Sequence, residues 1–212
     1  MKIAFDVDAT LTDMNGFLLR HGRAFFAKLN KPLLDQDATT VEVMFGATEE
    51  EMVSFWKRNY IRYCLGVKLK PGLKDITERL RADGHELHVV TARLFAYRQD
   101  LIGKLVRYAV KSKFKHYGIY MDSYTFTNDE VADDKLNVCR AGHFDTIVED
   151  NPNHIEKIAG ELKIPVIVVN TPENKRLDMK GLIRIDTMDE LEDALKKANS
   201  LVINSQTGGN AS

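Results

Sequence analysis

The stretch Lys2-Ile3-Ala4-Phe5-Asp6-Val7-Asp8-Ala9-Thr10-Leu11-Thr12-Asp13 decides how the rest of the chain is read. A short apolar run, Ile3 to Phe5, stops at two aspartates on either side of Val7. An apolar run closed by a polar turn reads as a buried strand of a parallel sheet. In open α/β sheets the ligand crevice lies beyond the carboxyl ends of the strands, which is where Asp6 and Asp8 fall. Two ionised carboxylates this close repel each other. A divalent cation offsets that repulsion, and carboxylate oxygens suit Mg²⁺. The competing reading is an ordinary Asp-rich turn, and three later stretches displace it.

Working outward, Leu87-His88-Val89-Val90 reads as a second buried strand that ends at Thr91-Ala92-Arg93. Tyr124-Thr125-Phe126 is a third, and Thr146-Ile147-Val148 a fourth, running into Glu149-Asp150-Asn151-Pro152. Val166 to Val169 and Leu182 to Ile185 complete a set of six. Helical stretches lie between them: 71–83, with Pro71 in its first turn and Gly84 closing it, then 94–116, 133–141, 153–162 and 188–198, with Thr187 as N-cap. Strands alternating with helices give an α/β fold with a doubly wound parallel sheet.

Residues 15–70 interrupt that alternation. Phe17, Leu18, Ala24, Phe25, Phe26 and Leu29 form a helical stripe broken at Lys31-Pro32, and 33–45 reads as an irregular connector. A second helix starts at Thr48, whose side chain suits an N-cap and which Glu49, Glu50 and Glu51 follow in the first turn. Its apolar positions, Met52, Phe55, Trp56 and Tyr60, are read as packing. The organisation expected is a core of 1–14 and 71–198, a small helical cap of 15–70, and a disordered tail over 199–212, rich in Ser, Asn and Gly.

At 212 residues the chain has room for one domain with a modest insertion. Its 44% apolar and 29% charged content excludes a disordered polypeptide. A net charge of −1 offers no global basic field, so no stable nucleic-acid complex is expected. Cys64 and Cys139 are in no metal-binding spacing and read as buried free thiols in a reducing compartment. There is no charged leader with an apolar core and no stretch long enough to span a bilayer. A cytoplasmic location and no membrane partner are the expectation.

Three strand ends now carry polar residues of matching type: Asp6 with Asp8, Thr91, and Glu149 with Asp150, with Lys135 between the last two. Parallel strands bring these ends to one edge. Carboxylates hold a hard cation, a hydroxyl donates to a phosphate oxygen, and a lysine neutralises it. An unprotonated carboxylate is also a nucleophile toward phosphorus.

This ordered set resembles the haloacid dehalogenase superfamily of phosphatases. Asp6-Val7-Asp8-Ala9-Thr10-Leu11-Thr12 is similar to its first motif, Val89-Val90-Thr91 to the second, Lys135 to the third and Glu149-Asp150 to the fourth. Val90 to Arg93, Asp134-Lys135 with Cys139, and Ile147 to Ile155 resemble the bacterial branch of its 5′-nucleotidases, the cytosolic type C deoxyribonucleotidases. The resemblance implies that Asp6 attacks phosphorus and that Asp8 protonates the leaving oxygen, then deprotonates the hydrolytic water. It implies that Thr91 and Lys135 hold the phosphoryl oxygens, with Ala92 and Arg93 beside the substrate. Mg²⁺ would be bound by Asp6, the backbone carbonyl of Asp8, and Asp150. Two departures stand out. Ala9 takes a place where the family usually has glycine, so a tight turn there must accept a Cβ. Glu149 replaces a common second aspartate; whether it reaches the metal through water or only supports Lys135 stays open, with Asp150 as the direct ligand.

Other residues are weighed against structural roles. Arg93 is read equally as a substrate contact or as a salt bridge to a neighbouring acid. His88 and His154 are read as structural. Lys104, Arg107, Lys111, Lys113 and Lys115 read as a solvated face, answered locally by the acids of 129–134. Asn15, Phe17 and Met44 are candidates for lining a substrate pocket. The implied function is a Mg²⁺-dependent phosphomonoesterase acting on 5′-nucleotides or deoxynucleotides, with a sugar phosphate or other small metabolite as the alternative substrate. A homodimer is the only protein assembly contemplated. A non-catalytic binding module is the rival class, and retention of Asp6, Asp8, Thr91, Lys135 and Asp150 argues against it.

Overall fold

The computed structural model describes residues 1–131 and 133–207. In chain order the elements are β1 (Lys2–Phe5), α1 (Met14–Ala27), α2 (Val41–Phe45), α3 (Glu49–Gly66), α4 (Leu73–Ala82), β2 (Glu86–Thr91), α5 (Leu101–His116), β3 (Ser123–Phe126), α6 (Asp134–Gly142), β4 (Thr146–Glu149), α7 (Pro152–Leu162), β5 (Val166–Val169), β6 (Leu182–Ile185) and α8 (Leu191–Thr207). The six strands form one sheet in the order β3-β2-β1-β4-β5-β6, parallel throughout. The chain winds one way from β1 and then the other, so β1 and β4 flank the switch point where such sheets open a crevice.

Alternation along each strand sends side chains to two faces. Ile3, Phe5, Leu87, Val89, Val148 and Ile167 pack with Ile76 and Leu80 of α4, Phe114 of α5 and Leu191 of α8. Ala4, Val90, Ile147, Val166 and Val168 face the other way, onto Leu136 and Cys139 of α6 and Ile155 and Ile158 of α7. Helices cover both faces, which is why the strands read as continuous apolar runs. Cys64 and Cys139 are buried free thiols.

The segment between β1 and α4 has its own core of Phe17, Leu18, Phe26, Met44, Phe45, Phe55 and Tyr63. The two strands of chain that join it to the sheet run side by side: Asp13 N donates to Lys68 O at 2.8 Å and Lys70 N to Leu11 O at 2.9 Å. α3 carries the anticipated cap, with Thr48 and Glu51 satisfying each other's backbone.

Four local expectations are corrected. Residues 94–100 are not helical: Phe95 has φ +64°, which no α-helix accommodates, and α5 starts only where Asp100 caps Gly103 N at 3.0 Å. Pro71 precedes its helix, because Gly72 at φ +75° is the N-cap. The connector contains a short helix, α2, capped by the Thr40 side chain. The expected disorder from Asn199 gives way to helix as far as Thr207; Ser and Asn cost a growing helix only about 0.5 kcal/mol each. Residues 208–212 of that expected tail lie outside the described residues.

Candidate active site

Asp6 continues β1 by one residue, its N donating to Val148 O at 3.0 Å. The chain then turns sharply: Thr10 N donates to Asp8 O at 2.7 Å, and Leu11 N and Thr12 N both donate to Val7 O at 3.0 Å. The turn forces Ala9 to φ +58°, the left-handed region that disfavours a Cβ. The carboxylates of Asp6 and Asp8 thereby project into one cleft.

Lys135, in the first turn of α6, is buried and reaches Asp6 from the side. Its Nζ donates to Asp6 Oδ1 at 2.6 Å and to Glu149 Oε2. The other oxygen of Glu149 accepts Asp150 N at 3.1 Å and Asn151 N at 3.0 Å. Glu149 is thus occupied by protein donors on both oxygens. Asp150 is tied more lightly, by Thr10 Oγ1 at 2.7 Å on Oδ1.

The electrostatics follow from burial. Burial alone would raise Glu149, but Lys135 and His154 hold it down at about 2. Burial pushes Asp6 up to about 7, with Glu149 and Asp8 adding to the effect against Lys135. Burial, then Glu149 and Asp6, also drive Asp150 well above the carboxylate range. His154, which burial would pull down, is lifted to about 9 by Asp129 and Glu149. Its Nε2 lies 3.0 Å from Asp129 Oδ1. Two carboxyls are therefore short of positive charge. Oxygen atoms of Asp6, Glu149 and Asp150 lie within 4.8 Å of one another, so this donor set fits a hard divalent cation.

Thr91 ends β2 with its Oγ1 buried and without a partner, a costly arrangement unless something else supplies the bond. Thr91 and Ala92 line a cleft of about 170 Å³ with Asp6, Asp8 and Asp150, and Thr39 and Thr40 of the cap close it. Lys135 is not on the cleft wall and acts there through Asp6.

Arg93 is placed differently from the expected substrate contact. It is 2% exposed, does not line the cleft, and is ion-paired with Asp8. The bland alternative, a salt bridge to a neighbouring acid, is the arrangement found. Asn15, Phe17 and Met44 also miss the cleft: Asn15 donates to Gln36 O and Ala38 O, while Phe17 and Met44 belong to the cap core. Lys113 and Arg107 are not simply a solvated face, since they donate to backbone carbonyls of Val67 and Ala96. The acids Asp129 and Asp133 pair with His154 and Lys157 rather than with α5.

Sequence reading missed Tyr63, whose hydroxyl donates to Asp8 Oδ1. It lies one helical turn beyond Tyr60, in a stripe indistinguishable from packing. It also missed Thr39 and Thr40, which lie in a connector with no periodic signal.

No profile of a known protein family matches the chain. A provisionally named nucleotidase of Halalkalibacterium halodurans is 24% identical over 191 residues, covering 89% of each protein. Among solved structures, protein tyrosine kinase A of Mycobacterium tuberculosis superposes with a TM-score of 0.65 at 18% identity, over 92% of this chain and 97% of its own. A haloacid dehalogenase-like hydrolase of Streptococcus pneumoniae gives a TM-score of 0.59 at 17% identity, over 91% and 97%. With these likenesses, the chain has the haloacid dehalogenase-like fold.

Proposed function

We propose that the protein is a Mg²⁺-dependent phosphomonoesterase that works through an aspartyl-phosphate on Asp6, with 5′-nucleotides or deoxynucleotides as the first substrates to try. The observation that carries this is Asp6 itself. It is a cleft-lining carboxylate on a buried strand end, held by Lys135 at 2.6 Å, facing the unpartnered Thr91 hydroxyl and a donor set fit for a cation.

In the first half-reaction a carboxylate oxygen of Asp6 bonds to phosphorus and the bond to the leaving oxygen breaks. Asp8 supplies the proton that oxygen needs. In the second half, water attacks phosphorus, Asp8 takes the water's proton, and the bond to Asp6 breaks, releasing phosphate. Thr91 Oγ1 donates to a phosphoryl oxygen, and Lys135 keeps charge from accumulating on Asp6. Glu149 holds Lys135 in place. Asp6, the Asp8 carbonyl and Asp150 would hold a Mg²⁺, which would supply charge stabilisation for the phosphoryl group. General acid–base help of this kind contributes about 10²–10⁴-fold.

The nucleotide preference draws support from the name of the H. halodurans relative. One observation favours a smaller metabolite, such as a sugar phosphate. The cleft holds about 170 Å³, below the roughly 300 Å³ where ligand pockets usually begin. A compact phosphate ester suits that volume better than a nucleotide. The buried free thiols of Cys64 and Cys139 suit a cytoplasmic setting. No helix among the described residues is long and apolar enough to cross a membrane.

Phosphate release from a panel of nucleoside monophosphates and sugar phosphates, with Mg²⁺ and with EDTA, tests this. Metal-dependent release that Asp6→Asn abolishes while the fold persists is the expected result. Unchanged hydrolysis in Asp6→Asn, or no release from any ester, overturns it.

A further inference from the structure

We propose that Arg93, from the sheet, and Tyr63, from the cap, are positioning residues for Asp8. The inference rests on the phosphatase reading, in which Asp8 moves the proton.

The Asp8 carboxylate is held on both oxygens. Arg93 Nε donates to Oδ2 at 3.1 Å and Arg93 Nη2 to Oδ1, while the Tyr63 hydroxyl donates to Oδ1 as well. A guanidinium fork matched to both carboxylate oxygens fixes the plane of the group as well as its place. Arg93 Nη2 is also 3.3 Å from the Tyr63 hydroxyl, and its guanidinium lies 4.9 Å from the centre of the Tyr63 ring. The three side chains form one closed unit. Asp8 is its only member on the cleft wall.

The two holders come from different parts of the chain. Arg93 follows β2, in the sheet. Tyr63 belongs to α3, and its ring is gripped edge-on by Phe17 at 5.0 Å and Trp56 at 5.4 Å, both cap residues. The phenol therefore goes where the cap goes. Tyr63 thus adds a third bond to Asp8 from the cap, beside the two that Arg93 supplies from the sheet. Thr12 Oγ1, at the junction with the cap, lies 3.4 Å from the same hydroxyl.

A purely structural role for the unit is the rival. The two separate by leaving group. The value of kcat/KM covers the steps through formation of the phosphoenzyme. A nucleoside 5′-phosphate needs its leaving oxygen protonated in that step; p-nitrophenyl phosphate does not. Tyr63→Phe keeps the ring and its packing while deleting the hydroxyl. Arg93→Lys keeps the charge while deleting the fork.

Both variants, checked for wild-type melting behaviour, are compared with wild type on the two esters with Mg²⁺. The expected result is a fall of about tenfold or more in kcat/KM for the nucleoside phosphate, part of the whole acid–base contribution, with a much smaller fall for p-nitrophenyl phosphate. Equal falls on both esters, or no fall on either, overturn the inference while leaving the phosphatase reading intact. A wild-type protein that hydrolyses neither of these esters nor any sugar phosphate of the panel with Mg²⁺ overturns the phosphatase reading, and the inference with it. Should Tyr63→Phe fail to fold, Arg93→Lys decides the matter by the same comparison.

Discussion

Lys135 holds Asp6 and Glu149 at once, with its Nζ 2.6 Å from Asp6 Oδ1 and donating to Glu149 Oε2. One buried cation thus ties the strand end of β1 to that of β4, across the switch point of the sheet. Replacing it by Met leaves two buried carboxylates facing each other without the cation between them. Removing one member of such a buried set typically costs about 3–5 kcal/mol. Lys135→Met is expected to lose that order of stability in urea unfolding near neutral pH and to lose hydrolysis. A variant as stable as wild type would show that Lys135 does not neutralise the pair.

Glu149→Gln separates support from metal binding. Its amide oxygen can still accept Asp150 N and Asn151 N, which now bond to Glu149 Oε1. Its amide nitrogen would then face Lys135, donor against donor. The expected outcome is a fall in kcat of about tenfold or more with the Mg²⁺ requirement unchanged in concentration. A large rise in the Mg²⁺ needed would instead make Glu149 a direct ligand.

The metal prediction has a pH sign. Asp6 sits at about 7 and Asp150 well above the usual range because burial opposes their ionisation. Both carboxyls are raised on folding, so they cost the metal-free protein stability as pH climbs above their ordinary values toward the folded ones. A bound cation needs them ionised and reverses that cost. The rise in melting temperature on adding saturating Mg²⁺ should be larger at pH 8 than at pH 6. In Asp150→Asn it should be small at both. A shift independent of pH and of Asp150 would place the cation elsewhere.

Ala9 turns at φ +58° beside the two aspartates. The left-handed conformation costs an L-residue roughly 1–2 kcal/mol, and glycine escapes that at a smaller cost in unfolded-state entropy. Ala9→Gly is expected to stabilise the protein by about 0.5–1 kcal/mol in denaturant unfolding. Destabilisation would mean that the Cβ packs better than the strain suggests.

What was legible in the sequence was whatever has a short period or a fixed place on a strand. Ile3 to Phe5, Val166 to Val169 and the other apolar runs named all six strands, because a sheet covered on both faces leaves few polar positions inside them. Asp6, Thr91, Glu149 and Asp150 were then placed together by topology alone. Phe95 shows where this stops: its left-handed turn lies in a segment whose composition suits a helix, and Arg107, in the helix that follows, holds that loop by donating to Ala96 O and Arg98 O. Tyr63 and Arg93 illustrate the other gap. Their partnership with Asp8 depends on how the cap rests on the sheet, and no local pattern encodes that.

Glu173 makes the last contact between sheet and cap measurable. Its Oε1 accepts Thr39 N at 2.8 Å, Thr40 N at 3.0 Å and Thr40 Oγ1 at 3.2 Å. Glu173 follows β5, and the neighbouring Asn174 holds that loop by donating to Asp150 O and Val169 O, both at 2.8 Å. The carboxylate therefore spans from the strand ends to the part of the cap that closes the cleft. Hydrogen bonds to a charged acceptor contribute about 1.5–3 kcal/mol. Losing about 2 kcal/mol locally corresponds to a roughly thirtyfold rise in opening. In Glu173→Ala, hydrogen exchange at the amides of Thr39 and Thr40 should speed up by about that factor, while exchange in β1 and β4 stays as in wild type. Glu173→Gln retains an acceptor oxygen and should show a smaller acceleration. Equal acceleration in the sheet would mean that Glu173 supports the whole fold; no acceleration at Thr39 and Thr40 would mean that the cap is held down without it.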